Sequence, residues 1–175
     1  MVYFTADLHF NHYSILCHCD RPFKNLAEMD EAIIDNWNSV VGPDDTVYCL
    51  GDFSFGTTNA ASDYLARLKG KVHLVIGNHD KKARKCPDFV STEKLVEVTI
   101  RGQRITLCHY AMRTWNCKCH GAWHLYGHSH GKLADDPASL SIDVGVDSWE
   151  FTPVSFEQVE AVLTEKQLNY LERRT

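Results

Sequence analysis

Short apolar runs alternate along this chain with stretches whose apolar positions recur every three or four residues. Residues 2–6 (VYFTA) read as a strand ending at Asp7. Residues 26–41 carry Leu26, Met29, Ile33, Ile34, Trp37 and Val41 at helical spacing, with Asn25 as N-cap and Gly42-Pro43 as the stop. Strands are predicted over 46–50 (TVYCL), stopped by Gly51-Asp52, and over 71–76 (KVHLVI), closed by Gly77-Asn78-His79-Asp80. Between them, residues 59–68 have a helical pattern that ends at Gly70. Strands separated by helices imply right-handed βαβ units.

Beyond residue 90 the texture changes. Residues 94–100 and 103–108 alternate around Arg101-Gly102, a hairpin that suggests a second, more antiparallel sheet. Two further short strands are predicted over 123–126 and 140–146. A last helix is opened by Ser155, with Gln158 three residues on as a capping box, and runs to about Arg173. No repeat or linker interrupts the order, so the expectation is one layered α/β domain over residues 1–175.

Composition narrows the class without naming it. Of 175 residues, 44% are hydrophobic and 23% charged, which is ordinary for a globular chain. The net charge of −5 makes a poor general binder of nucleic-acid backbone; a nucleic-acid end in a local pocket is not excluded by it. No apolar run approaches the roughly 18 residues of a membrane span, and the first residues lack the basic and apolar regions of a signal peptide. A cytoplasmic chain with no membrane partner is expected. Seven cysteines are an odd count, better suited to reduced thiols than to a disulfide framework. The unusual feature is ten histidines, clustered near Asp, Asn and Gly.

Metal-competent residues recur just past the predicted strand ends: Asp7 and His9, Asp52, Asn78 and His79, His109, then His128 and His130. In open α/β sheets the loops at the carboxyl ends of strands converge on one rim, where ligands bind. Glycines beside these groups (Gly51, Gly77, Gly127) suit tight turns around a bound ion. A donor set of Asp, His and Asn fits Mn, Fe, Zn, Ni or Co better than Ca, and the list is long enough for two ions sharing one carboxylate.

The blocks Asp7-Leu8-His9, Gly51-Asp52, Gly77-Asn78-His79-Asp80, His109 and Gly127-His128-Ser129-His130 resemble, in order, the five blocks of the calcineurin-like metallophosphoesterase superfamily. The resemblance spans residues 7 to 130. It implies a layered α/β/β/α sandwich of two mixed sheets flanked by helices. It also implies two divalent transition metal ions, Mn first among them. Asp7, His9, Asp52 and His130 would hold one ion; Asp52, Asn78, His109 and His128 would hold the other, with Asp52 shared. His79 would be the free imidazole that protonates the leaving group. Two such ions activate a bridging hydroxide and clamp the phosphoryl oxygens, and a neutral-range imidazole is a suitable general acid. The substrate expected is a small phosphoester or nucleotide. A phosphodiester is favoured because the chain leaves little room for a cap enclosing a monoester. A nucleotide phosphomonoesterase is the alternative, and a non-catalytic metal-binding scaffold stands behind both, since every ligand position and His79 are filled.

Departures from the family pattern matter. The large Ser/Thr protein phosphatases continue their G-D with V-D-R-G, supplying an Asp that supports the catalytic His and an Arg for phosphate. Here the continuation is Gly51-Asp52-Phe53-Ser54-Phe55-Gly56, which puts protein phosphatase activity in doubt and leaves open what orients His79. Segments such as DLHFNH, LGDFSFG and HYAMRTW are similar to small stand-alone bacterial and phage members. The 26–41 helix is expected to wall the cleft.

Other residues carry two readings each. His12 is a support or substrate contact, or a surface-loop histidine. Arg21 with Phe23, and Arg113 with Trp115, are candidate substrate contacts, against solvated arginines and a Trp115 packed under its loop. His73 reads as structural. The Lys81–Lys85 run steers an anion or is simply solvated. Cys17 and Cys19 with Cys117 and Cys119 form a candidate extra zinc site, against two unpaired thiol patches.

Overall fold

In the computed structural model, residues 1–172 are described. Strand β1 (Val2–Thr5) is followed by the single turn α1 (Ile15–His18), the helix α2 (Leu26–Val40) and strand β2 (Thr46–Cys49). Then come α3 (Thr58–Leu65), β3 (Lys71–Val75) and the short β4 (Ser91–Glu93). The second half holds β5 (Leu95–Ile100), β6 (Gln103–Cys108), β7 (Trp123–Tyr126), β8 (Ser141–Asp143), β9 (Val154–Ser155) and α4 (Phe156–Glu172).

These strands form two mixed sheets flanked by helices. The first runs β4-β3-β2-β1-β9, parallel except for β9, and the second runs β5-β6-β7-β8. Period-two alternation in the first sheet feeds two cores. Tyr3, Val47, Cys49, Val72 and Leu74 face one way and pack with Met29, Ile33 and Trp37 of α2. Phe4, Leu50 and Val75 face the other and pack with Ile105, Leu107, Trp123 and Leu125 of the second sheet, and with Phe156, Val159 and Leu163 of α4. Each fully buried apolar side chain of this kind contributes about 1.5–3 kcal/mol relative to exposure.

Local signals place the element ends. The Asn25 side chain accepts the Glu28 N–H at 3.0 Å, capping α2, and the Thr57 hydroxyl accepts the Ala60 N–H at 3.2 Å, capping α3. Ser155 and Gln158 form the expected capping box, Ser155 N–H to Gln158 Oε1 at 2.9 Å and Gln158 N–H to Ser155 Oγ at 3.2 Å. Arg101 and Gly102 both take positive φ, 49° and 86°, as a two-residue hairpin turn with the right twist requires. The expected helix end at Arg173 lies outside the described residues.

Three expectations are corrected. The second sheet is antiparallel only at the β5–β6 hairpin; β6, β7 and β8 are parallel, because residues 109–122 and 127–140 cross over instead of turning back. The 140–146 strand stops at Asp143, and Val146–Ser148 coil into a 3-10 turn. Helix α2 does not line the two clusters among the described residues: its apolar face is buried in the first core, and it touches the neighbouring loop through Met29 Sδ, which accepts Arg21 Nη1–H, and Asp30, which accepts the Asn11 N–H.

Candidate metal centre

Beyond the C-terminal ends of β1 and β2, residues 7–10 and 51–53 run side by side. Asp7, His9 and Phe10 N–H groups donate to Gly51, Asp52 and Phe53 carbonyls at 2.9–3.0 Å. Asp7, His9 and Asp52 have φ of 58°, 53° and 54°, and His128 and His130 have 67° and 49°. This left-handed region is costly for most side chains and tolerated best by Asn, Asp and His. The turns therefore bring five polar side chains to one rim along a backbone their own types permit.

Glycines let the backbone come this close. A Cβ on Gly77 would stand 2.2 Å from Asp52 Oδ1, and one on Gly127 would stand 2.7 Å from Asp7 Oδ2 and 2.4 Å from Ala6 Cβ. No side chain fits either position.

Two clusters result. Asp7, His9 and His130 form one, and Asp52, His109 and His128 the other, the ligand atoms in each lying within 4.8 Å of one another. Between them, Asp52 Oδ2 is 3.5 Å from His9 Nε2 and 3.5 Å from His109 Nε2, while Oδ1 accepts the His79 N–H at 2.8 Å. Asn78 Oδ1 lies 3.0 Å from His109 Nε2. His109 donates Nδ1–H to the Leu50 carbonyl at 2.7 Å, which leaves Nε2 as the ring nitrogen turned toward the site. His130 likewise spends Nδ1 on Asp147 Oδ2, at 2.8 Å.

The residues fit divalent ions. Asp7 Oδ1 and His9 Nε2 are fully buried with no hydrogen-bond partner, which is costly unless something else meets them. Burial, followed by neighbouring Asp52, Asp143 and Asp147, pushes the Asp7 carboxyl well above the usual carboxylate range. Burial, then Arg21 and the surrounding histidines, pushes His9 far down and keeps it neutral. Burial and then His109 lower His128. Crowded carboxylates beside lone-pair imidazoles make a donor set that a cation completes.

The supports of this rim went unread in the sequence. Asp80 is fully buried and accepts three N–H groups: Asp52 at 2.8 Å, Phe53 at 2.9 Å and Gly77 at 2.8 Å. Asp147 binds His130 and a bidentate Arg21, whose Nε and Nη2 donate at 2.9 Å each. Burial opposes ionisation of Asp147, but the hydrogen bonds from His130 and Arg21 win and hold its carboxyl below the usual range. Asp80 closes the G-N-H-D block and Asp147 lies in the segment VGVDSWEF, but neither has a local spacing that names its partners.

Arg21 is not a substrate contact. It is buried, and besides Asp147 it donates to the Asp7 carbonyl at 2.6 Å and the Leu8 carbonyl at 3.0 Å, clamping the turn that carries Asp7 and His9. Phe23 packs half-buried against Phe151. Arg113 is exposed, its carbonyl accepting Lys118 Nζ, and Trp115 is packed under its loop with Nε1–H on the Ala122 carbonyl. His12 joins the site: its Nδ1 is 2.9 Å from His9 Nδ1, its Nε2 is 2.9 Å from Ser14 Oγ, and its ring stacks on Phe55. His79 is exposed, with its ring against His9, His12 and Phe55; among the described residues no side chain hydrogen-bonds that ring. Lys81, Lys82, Arg84 and Lys85 are exposed. His73 pairs with Ser91 Oγ at 2.8 Å. The extra zinc site does not form among the described residues: Cys19 packs on the first core and Cys117 on the second, the latter receiving Arg104 Nη1 at 3.1 Å.

Two mixed sheets with paired Asp/His clusters at one rim define the class, and the sequence match agrees. Residues 2–145 match the model of the calcineurin-like phosphoesterase superfamily domain, and the chain belongs to that superfamily. It is similar to an uncharacterized protein of Methanocaldococcus jannaschii, 33% identical over 165 residues that span 90% of this chain and 88% of the relative. It is also similar to the Gene 66 protein of Mycobacterium phage L5, 29% identical over 84% of this chain and 86% of the relative. A crystal structure of a protein of unknown function from Aquifex aeolicus superposes with a TM-score of 0.72 at 25% identity, covering 93% of this chain and 98% of that one.

Proposed function

We propose that this chain is a two-metal-dependent phosphodiesterase acting on nucleotide-like or other small phosphodiesters. The observation that supports it most is the position of Asp52: one carboxylate oxygen equidistant from His9 Nε2 and His109 Nε2, at 3.5 Å from each. Asp7, His9, Asp52 and His130 would hold one ion, and Asp52, Asn78, His109 and His128 the other. Mixed carboxylate, imidazole and amide donors suit Mn, with Fe, Zn, Ni or Co as competitors. When bound, such a pair supplies an activated water and neutralises charge on the phosphoryl oxygens.

The chain's own groups do the rest. His79, exposed beside His9, His12 and Phe55, would donate an imidazolium proton to the departing ester oxygen and be left as neutral imidazole. Asp80 holds the Asp52 turn, and Arg21 with Asp147 holds His130 and the Asp7–Leu8 backbone. Asn78, His79 and His128 are all exposed, so the rim is open enough for a phosphate with an arm on either side, which favours a diester over an enclosed monoester. Among the described residues no helix is long and apolar enough to cross a membrane.

The test is hydrolysis of bis-p-nitrophenyl phosphate against p-nitrophenyl phosphate with Mn, Ni and Zn in turn. A diester preference is expected. A strong preference for the monoester overturns the diesterase reading in favour of a phosphomonoesterase.

A further inference from the structure

Three aromatic side chains are exposed among the described residues, Tyr13, Phe55 and Tyr110, and two of them sit on the candidate centre. Phe55 is 40% exposed and Tyr110 is 46% exposed. A lone apolar side chain on a surface is ordinary. Two set against histidine rings on the two sides of the candidate centre are a different matter. Phe55 stacks on His12 with ring centroids 4.0 Å apart and 13° from parallel, and its ring is 5.4 Å from that of His79. Tyr110 stands edge-on to His109 at 5.0 Å and to His128 at 4.8 Å. Phe55 thus marks the His9 and His79 end, and Tyr110 the His109 and His128 end.

Both are held in place by the backbone. The Phe55 N–H donates to the Phe10 carbonyl at 2.8 Å, and the Phe55 carbonyl accepts Asn11 Nδ2–H at 3.2 Å. Just after Tyr110, the Met112 N–H donates to Nε2 of buried His124 at 3.1 Å, and His124 Nδ1–H donates to the Thr106 carbonyl at 3.0 Å. Pre-placed aromatic faces bind a flat partner with little ordering cost.

The partner must carry both chemistries: an anionic phosphoryl group for the clusters and flat π-surfaces for the rings. The geometry points to Phe55 and Tyr110 as stacking platforms that select nucleoside phosphodiesters. Phe55 takes the planar group on the departing side, next to His79, and Tyr110 takes the nucleobase on the side that keeps the phosphate. This inference rests on the phosphodiesterase reading.

The test uses the Mn-loaded chain and two esters with the same leaving group, thymidine 5′-(4-nitrophenyl) phosphate and methyl 4-nitrophenyl phosphate. Tyr110→Ala should reduce the ratio of their kcat/KM values about 5- to 150-fold, the worth of one base stacked on an aromatic ring. Tyr110→Phe should keep the ratio. Phe55→Ala should lower kcat/KM on both esters, since both lose a flat leaving group's platform, and Phe55→Tyr should restore it. Calorimetric binding of thymidine 5′-monophosphate against methyl phosphate gives a second readout, in which Tyr110→Ala should shrink the affinity ratio by a similar factor. Ratios that Tyr110→Ala leaves unchanged overturn the inference. A wild-type chain that cleaves neither ester, yet loses the binding ratio in Tyr110→Ala, keeps the Tyr110 platform and sinks the diesterase reading instead.

Discussion

Asp80 accepts the backbone N–H of Asp52 at 2.8 Å from a fully buried position, and so a side chain outside both clusters holds the turn that carries the Asp52 carboxylate. The Asp80 carboxylate also takes the Phe53 and Gly77 N–H groups. Asp80→Asn replaces one acceptor oxygen with an NH2 group and leaves at least one buried N–H facing a donor. It should destabilise the metal-free chain by about 1–3 kcal/mol, read from denaturant unfolding. Unchanged stability would show that the three N–H groups find other acceptors.

Asp52→Asn should disturb both ion sites at once, because Oδ2 faces His9 and His109 equally. Elemental analysis after gel filtration measures it. Two ions retained per chain would count against a shared carboxylate.

His79→Asn should bind metal as the wild type does and lose turnover by roughly 10²- to 10⁴-fold on esters with alkoxide leaving groups. With p-nitrophenol, which departs readily as its anion, the loss should be much smaller. Equal losses on the two ester types would remove His79 from the general-acid role.

Arg21→Met leaves the Asp147 carboxylate without its bidentate partner and frees the carbonyls of Asp7 and Leu8. Breaking such a buried pair from one side costs on the order of 3–5 kcal/mol. The double variant Arg21→Met with Asp147→Asn should cost less than the two singles added together. Additive losses would mean the two residues do not act as a pair.

Metal stabilisation should grow with pH. Asp7 has a carboxyl raised by burial and by neighbouring Asp52, so without metal the folded state holds a proton that the unfolded state releases in the ordinary carboxylate range. That contribution to stability is present in acid and fades as pH rises towards the raised value. Metal binding displaces the proton, so the gain in Tm on adding Mn should widen from acid towards neutral pH, with proton release in calorimetry. A gain independent of pH would contradict it.

The blocks from Asp7 to His130 could be read because metal-binding side chains beside glycines are rare in one-dimensional pattern, and strand ends place them on a common rim. Elements held by tertiary pairing could not. Strand β9 is two residues long, and β4 is polar and three residues long, so neither has a period to detect. Arg21 invited a substrate role because an arginine near a phosphate site suggests an anion; its actual partner, Asp147, is 126 positions away. His124 shows no motif, yet burial and two hydrogen bonds make it the pin for the segment after Tyr110. What the sequence hides here is long-range pairing between polar groups, which leaves no local spacing.

Five residues of the rim, Asp7, His9, Asp52, His128 and His130, stand at positive φ. Asp and His are among the types that bear this conformation most readily, and they are also good donors to transition ions. The backbone therefore restricts which candidate donors these turns can carry. Exchanging one of these histidines for glutamate would keep a competent donor but work against the turn that presents it. Re-engineering this centre toward a different ion would accordingly proceed more easily at Asn78 or His109, where φ is not positive, than at the five twisted positions.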